Sequence, residues 1–318
     1  MNLIEIERKG HVLARADFGC LRGVPTINVT RGCEFGCTYC YARAYPEAPV
    51  GEVRLYRNLP EKLAAELDNP RRRRAVERVV FNTASDCFQT HPAVLDTAYR
   101  AMQVLLERGV ALSFLTKGEV PKRFVDLFKR HPRRVAARVG LVSTDPRFRQ
   151  VFEPGAATAA ARLDTIERLC GAGLEVEVRI DPIIPFHGDD PGAIRRLFKA
   201  VAERGVRTAT LSYLHLRPAI LDQLRRELPA RELGLLAACF NQRAWCTVGA
   251  STRSRLLPPS LRRKGYARFN AAAAEAGITT LICACKNPDI PAQLCSRSFA
   301  GVVETPVPRG RQLGLFPC

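Results

Sequence analysis

The sequence predicts an α/β fold built on a parallel sheet, and three observations support it. Short β-rich runs alternate with helical stretches through the middle of the chain. Four of those helical stretches close on glycine or proline, so the links are short. Polar residues gather at the C-terminal ends of the strand runs: Thr30, Ser85, Asp86, Thr116, Lys117, Ser143, Thr144, Asp181 and His215. Repeated β–α units with short links imply parallel strands and right-handed crossovers. Six units suit a doubly wound sheet or an incomplete barrel. In a barrel, a polar rim at the strand ends is where an active site lies.

The elements follow in order. Residues 25–30, PTINVT, read as the first strand, and RVVFNT (78–83) as the second. A helix over 91–109 closes at Gly109. VALSFLTKG (110–118) is the third strand, followed by a helix over 120–132. RVGLVST (138–144) is the fourth, and its helix runs to Gly173. LEVEVRIDPIIP (174–185) and VRTATLSYLHLRP (206–218) complete the six, each with a helix behind it. After about residue 240 the rhythm breaks. We expect a barrel domain over 1–239 and an extension over 240–318 that closes one side of it.

Composition bounds the function. The chain has 318 residues, 47% of them apolar, enough for a large core. Charges begin at once in MNLIEIERKG, and no run of eighteen apolar residues exists. The expectation is a cytoplasmic protein with no membrane span. The net charge of +18 favours polyanionic partners such as DNA or RNA. The basic residues are scattered, however. Their one dense run, Arg71–Arg74, also reads as the solvated end of a helix. Twelve cysteines in a chain of this size point to metal ligands plus inert buried thiols, Cys170 and Cys239 being the expected core pair.

The segment RGCEFGCTYCYAR (31–43) carries the chemistry. Cys33, Cys37 and Cys40 form C-x3-C-x2-C directly after a strand. Three thiolates on one loop can hold three irons of a cubane cluster, leaving the fourth iron open. Structural zinc normally takes four ligands in paired spacing, and the nearby fourth is missing.

This spacing, with Tyr39 at the aromatic position, resembles the signature of the radical S-adenosylmethionine (SAM) superfamily. The resemblance implies a partial (β/α)6 TIM-type barrel and a 4Fe-4S cluster on Cys33, Cys37 and Cys40. SAM would be chelated by the open iron, and flavodoxin or ferredoxin would supply electrons. It implies reductive cleavage of SAM to a 5′-deoxyadenosyl radical that abstracts hydrogen from a substrate. The cluster loop, TKG, FEPGAATAAARLDTIERLCGAG and RIDPIIP further resemble the spore photoproduct lyase–like group, described as DNA repair photolyase-like. That resemblance covers residues 25 to 217 and implies repair of a thymine lesion in DNA. Two tyrosines flank the last cluster cysteine there, as Tyr39 and Tyr41 flank Cys40 here, which brings Tyr41 into the chemistry. One position departs. The cysteine that returns hydrogen in that group aligns with Thr83, so Cys87 becomes the expected donor.

For SAM, the resemblance points to Tyr39, Ser85, Asp86 and Lys117. Ser143 and Thr144 are suited to ribose hydroxyls or the methionine carboxylate. Arg179 is suited to that carboxylate, or to a pairing inside the barrel. His215 reads more readily as structural. A second group, Cys283, Cys285 and Cys295, with Cys246 preferred to the terminal Cys318, could hold a second iron-sulfur cluster. Zinc is the runner-up. Two enzymatic readings follow, one with nucleic acid as substrate and one with a small metabolite or peptide served by the second cluster. A non-catalytic metal protein is the third.

Overall fold

The computed structural model describes residues 2–17, 19–240, 244–248 and 252–293. In chain order its strands are β1 (Asn2–Ile6), β2 (Ala14–Arg15), β3 (Pro25–Ile27), β4 (Thr30–Arg31), β5 (Glu52–Tyr56), β6 (Arg78–Phe81), β7 (Ala111–Thr116), β8 (Val135–Gly140), β9 (Glu175–Ile183), β10 (Thr208–Tyr213), β11 (Cys246–Val248), β12 (Thr252–Ser254) and β13 (Thr279–Ile282). The helices are α1 (Leu59–Leu67), α2 (Pro92–Glu107), α3 (Lys122–Lys129), α4 (Pro146–Phe152), α5 (Ala159–Gly171), α6 (Pro191–Ala202), α7 (Pro218–Glu227), α8 (Ala230–Phe240) and α9 (Pro259–Glu275).

The main sheet runs β13-β10-β9-β8-β7-β6-β3-β2. From β3 to β13 every neighbouring pair is parallel; β2 alone joins antiparallel. All six expected strands are present, with helices between them, as a partial TIM-type barrel requires. Two boundaries differ. The first strand stops at Ile27, and Thr30–Arg31 pairs instead with β5 in a small sheet ordered β1-β5-β4. The fourth strand runs 135–140 rather than 138–144, which leaves Ser143 and Thr144 on the loop beyond it. Within the segment read as an extension, β13 adds to β10 as a seventh parallel strand.

Local chemistry explains the helix starts. His91, Asp145, Thr158 and Asp190 each accept a backbone N–H through the side chain at the cap of α2, α4, α5 and α6. Proline follows at the first helical position of α2, α4 and α6, where its missing N–H costs nothing. Arg71–Arg74 lie past the end of α1 as a largely exposed turn, not a helix end. Cys170 and Cys239 are half-buried and pack against the core.

The barrel interior is polar toward its rim. Arg138 pairs with Glu177 at 3.3 Å, and Glu177 accepts from Thr210 at 2.7 Å. Arg179 pairs with Asp181 at 3.2 Å. Charges taken from water need such partners. No helix among the described residues is long and apolar enough to cross a membrane.

Candidate active site

The three cysteines sit on one tight loop between β4 and a short 3-10 turn at Tyr41–Ala44. Gly32 makes this turn possible. Its φ is +80°, and a Cβ there would lie 2.8 Å from Pro49 and 2.9 Å from the Glu52 carbonyl. Neighbouring elements hold the loop through its backbone. Gln223 on α7 donates to the Thr38 carbonyl at 2.6 Å. Arg43 donates to the Gly36 and Cys37 carbonyls at 3.1 Å each and forks onto Glu227. Gly155 lets the next loop press against this one, since a Cβ there would meet the Glu34 carbonyl at 2.6 Å.

Burial drives the Cys33 thiol well above its usual range, helped by Asp86 and by Cys37. Burial pushes Cys37 up to about 12, although Lys117 opposes the rise. Burial and mutual repulsion keep these thiols neutral in the bare protein, because thiolates there would be costly. Bound iron cations would reverse that cost, so the residues fit the group.

Behind the loop lies a buried charged chain. The Tyr39 hydroxyl donates to Glu153, and Glu153 pairs with Arg162 at 2.6 Å. The Lys117 ammonium sits 5.6 Å from the centre of the Tyr39 ring. Burial lowers the Lys117 pKa, but Glu153 and Cys37 outweigh it and the net shift is upward. Burial alone would raise Glu153, yet Arg162 and Lys117 bring it below the usual range. Lys117 is therefore an ammonium facing the cysteine loop, not an exposed turn lysine.

The other expected residues divide sharply. Asp86 is buried, with one carboxylate oxygen accepting from Phe88 N and Thr116 Oγ1 and the other from Lys117 N. It ties the β6 rim to the end of β7. The Ser85 hydroxyl is buried without a hydrogen-bond partner. Ser143 accepts from Asp145 N, and Thr144 is half-buried beside it. Arg179 is engaged by Asp181, the pairing inside the barrel rather than an open fork.

Cys87 is 0% exposed within the apolar core, where burial pushes its thiol well up. The thiol is enclosed rather than open on the rim, close enough to Asp86 and Cys33 to feel their charges. Tyr41 does face outward at 37% exposure, and its hydroxyl donates to the Thr83 carbonyl. His215 is pushed down to about 3, first by burial and then by Lys286, which makes it a neutral structural residue.

Sequence reasoning missed Glu153, Arg162, Gln223 and Lys286. The one available signal was FEPG, whose glutamate lies in the stretch resembling the lyase-like group. It also missed Cys20. The Sγ atoms of Cys20, Cys283 and Cys285 all lie within 4.8 Å of one another. Cys246, expected in this group, is instead on the β11–β12 hairpin, where its thiol donates to the Ser254 carbonyl at 3.3 Å. Cys295 and Cys318 lie outside the described residues.

The radical SAM superfamily profile matches residues 27–201, which include the cysteine loop and the strands from β4 to β9. The chain belongs to the radical SAM superfamily. As a radical SAM enzyme it uses a 4Fe-4S cluster and SAM. Its fold matches that of a spore photoproduct lyase variant with a TM-score of 0.71 and 18% identity, over 88% of this chain and 82% of the other. A spore photoproduct lyase complexed with dinucleoside spore photoproduct matches at 0.68, again with 18% identity, over 88% and 82%. An uncharacterized protein of Mycobacterium tuberculosis is 31% identical over 202 residues, 60% of this chain. The match spans 59% of that relative's own length. A radical SAM Nalpha-GlyT isomerase of Pseudomonas phage M6 is 22% identical over 262 residues, 79% of this chain and 51% of the phage protein.

Proposed function

We propose that this radical SAM enzyme acts on a pyrimidine lesion in nucleic acid, in the manner of a lyase. One observation carries the reading. Immediately beyond Cys40, Tyr41 and Tyr45 expose their rings edge to face, 5.9 Å apart, and the Arg217 guanidinium lies 5.4 Å from the Tyr41 ring centre. Exposed aromatic rings and an arginine plane are what an unstacked base packs on. The net charge of +18 suits a polyanion around that base. The likeness in fold to a spore photoproduct lyase complexed with dinucleoside spore photoproduct supports the same direction.

Roles follow from the site. Cys33, Cys37 and Cys40 would hold the cluster. When bound, the cluster and SAM supply a one-electron cleavage that yields a hydrogen-abstracting 5′-deoxyadenosyl radical. We assign Ser85, Lys117, Ser143 and Thr144 to SAM recognition, with Tyr39 supporting Lys117. Asp86 and Arg179 position the rim through their protein partners. Tyr41, bonded to Thr83 at the place where the lyase-like pattern carries its cysteine, is the residue we assign to return a hydrogen atom from its hydroxyl to the product radical; the tyrosyl radical left behind would be restored by one electron from the external donor and one proton from solvent. The electron donor would be a flavodoxin or ferredoxin.

The test is anaerobic. The reconstituted, reduced protein is given SAM and an oligonucleotide carrying the methylene-bridged thymine lesion. Restored thymine with accompanying 5′-deoxyadenosine supports the reading, and Y41F should lower thymine yield while SAM cleavage persists. Slow 5′-deoxyadenosine formation that no nucleic acid accelerates would overturn it, and would favour a small metabolite or peptide.

A further inference from the structure

The two edges of the main sheet meet at three sulfurs. Cys20 lies between β2 and β3, the pair at one edge, and Cys283 and Cys285 follow directly on β13, the opposite edge. Their Sγ atoms lie 3.9 Å apart for Cys20 and Cys285, and 2.8 Å apart for Cys283 and Cys285.

We propose that Cys20, Cys283 and Cys285 bind a single tetrahedral thiophilic metal ion, zinc in the first place with a solvent molecule as its fourth ligand, that clasps the two edges of the open barrel. The spacing decides for one ion over a second cluster. Thiolates bound at about 2.3 Å to one tetrahedral ion stand about 3.8 Å apart. Thiolates on different irons of a cubane are held further apart by the cluster's own sulfides. The Cys20–Cys285 separation matches a tetrahedral edge. The Cys283–Cys285 separation is shorter, yet well beyond the about 2.05 Å of a disulfide. Cys33, Cys37 and Cys40 are not gathered within the same 4.8 Å. Among the described residues, the cysteine trio closed up within that distance is Cys20, Cys283 and Cys285.

The turn carrying the two late cysteines is built rigidly. Asn287, 2% exposed, donates to the Cys283 carbonyl at 2.9 Å and accepts from Arg262 and Tyr266. Ala284 N donates to the Gln293 carbonyl at 2.7 Å. On the other side, Gly19 has φ +48°, and a Cβ there would come within 3.3 Å of the Cys285 Cβ. A side chain at that place would push the edges apart. From the same turn Lys286 reaches into the barrel and pairs with Asp181. The clasp thus connects directly to the inner rim.

This inference stands apart from the choice of substrate, and its test does not read activity. The full chain is purified, and iron and zinc are counted per chain by mass spectrometry. The wild type is also loaded with cobalt(II), whose visible spectrum reports thiolate number and tetrahedral geometry. About one zinc per chain is expected, with intense sulfur-to-cobalt charge-transfer bands. C20S and C285S should lose the zinc and the bands while the iron count holds, and C246S should keep both. If C20S does not fold, the wild-type spectrum and C246S still decide. Loss of about four irons in C20S, in place of zinc, would overturn the proposal in favour of a second cluster. So would a metal-free chain in which Cys283 and Cys285 are recovered as a disulfide.

Discussion

Glu153 and Arg162 form an ion pair 2.6 Å long with both side chains only 2% exposed, directly behind the cysteine loop. The Tyr39 hydroxyl completes it from the loop side. The pair therefore sets the height at which the loop rests. Removing one partner from a buried pair leaves an uncompensated charge and costs about 3–5 kcal/mol. E153Q should lose that much stability in urea unfolding. It should also bind less iron on reconstitution, because Tyr39 loses its charged acceptor.

The loop's own cysteines make a separate prediction. C33S, C37S and C40S should each abolish the reduced-cluster electron paramagnetic resonance signal and bring SAM cleavage to background. C87S should leave both unchanged, since Cys87 is enclosed in the core.

Gly155 makes a steric prediction. A Cβ there would lie 2.6 Å from the Glu34 carbonyl and 2.9 Å from the Phe35 Cα, both backbone atoms that cannot swing aside. G155A should cost about 1–3 kcal/mol and lower iron occupancy. A Gly171→Ala control, with nothing within 4 Å of its added carbon, should lower neither stability nor iron occupancy.

Acid stability follows from Asp181. Burial would raise its carboxyl, but Lys286 and Arg179 hold it down at about 2, against 3.8 when unpaired. The lowered folded pKa means that its contribution is full above the unfolded value and is lost as pH falls through about 2. K286M should flatten the fall in unfolding free energy between about pH 4 and about pH 2, measured by denaturant titration.

His215 acts at milder acidity. It is pushed from 6.5 down to about 3, so the native state keeps it neutral while the unfolded chain takes a proton. Its contribution is present above pH 6.5 and is lost as pH falls toward about 3. H215Q should remove that slope without affecting iron binding.

The parts legible in the sequence were local. Cys33, Cys37 and Cys40 announce themselves because their ligand geometry is a spacing of a few residues on one loop. The six strands show because β-rich runs and helix caps are short-range signals. Other features depend on distant partners. Val135–Gly140 contains two consecutive alanines that do not look like a strand, and it forms one because it is buried on both faces between β7 and β9. Cys87 lies next to polar rim residues in sequence, yet its side chain turns inward. Cys246 and Cys20 exchanged places for the same reason. Nothing near residue 20 foretells a sulfur 265 positions later.

That separation has a consequence in time. A ribosome adds about 5–20 residues per second, so roughly ten to fifty seconds pass between the synthesis of Cys20 and that of Cys285. Throughout that interval the hairpin edge at β2 and β3 has no counterpart, and contacts this remote in sequence form slowly in any case. The sheet can grow strand by strand as the chain emerges, but its seam is the last joint to be made. A nascent chain stalled before β13 would carry every residue of the cysteine loop and still leave its barrel unsealed.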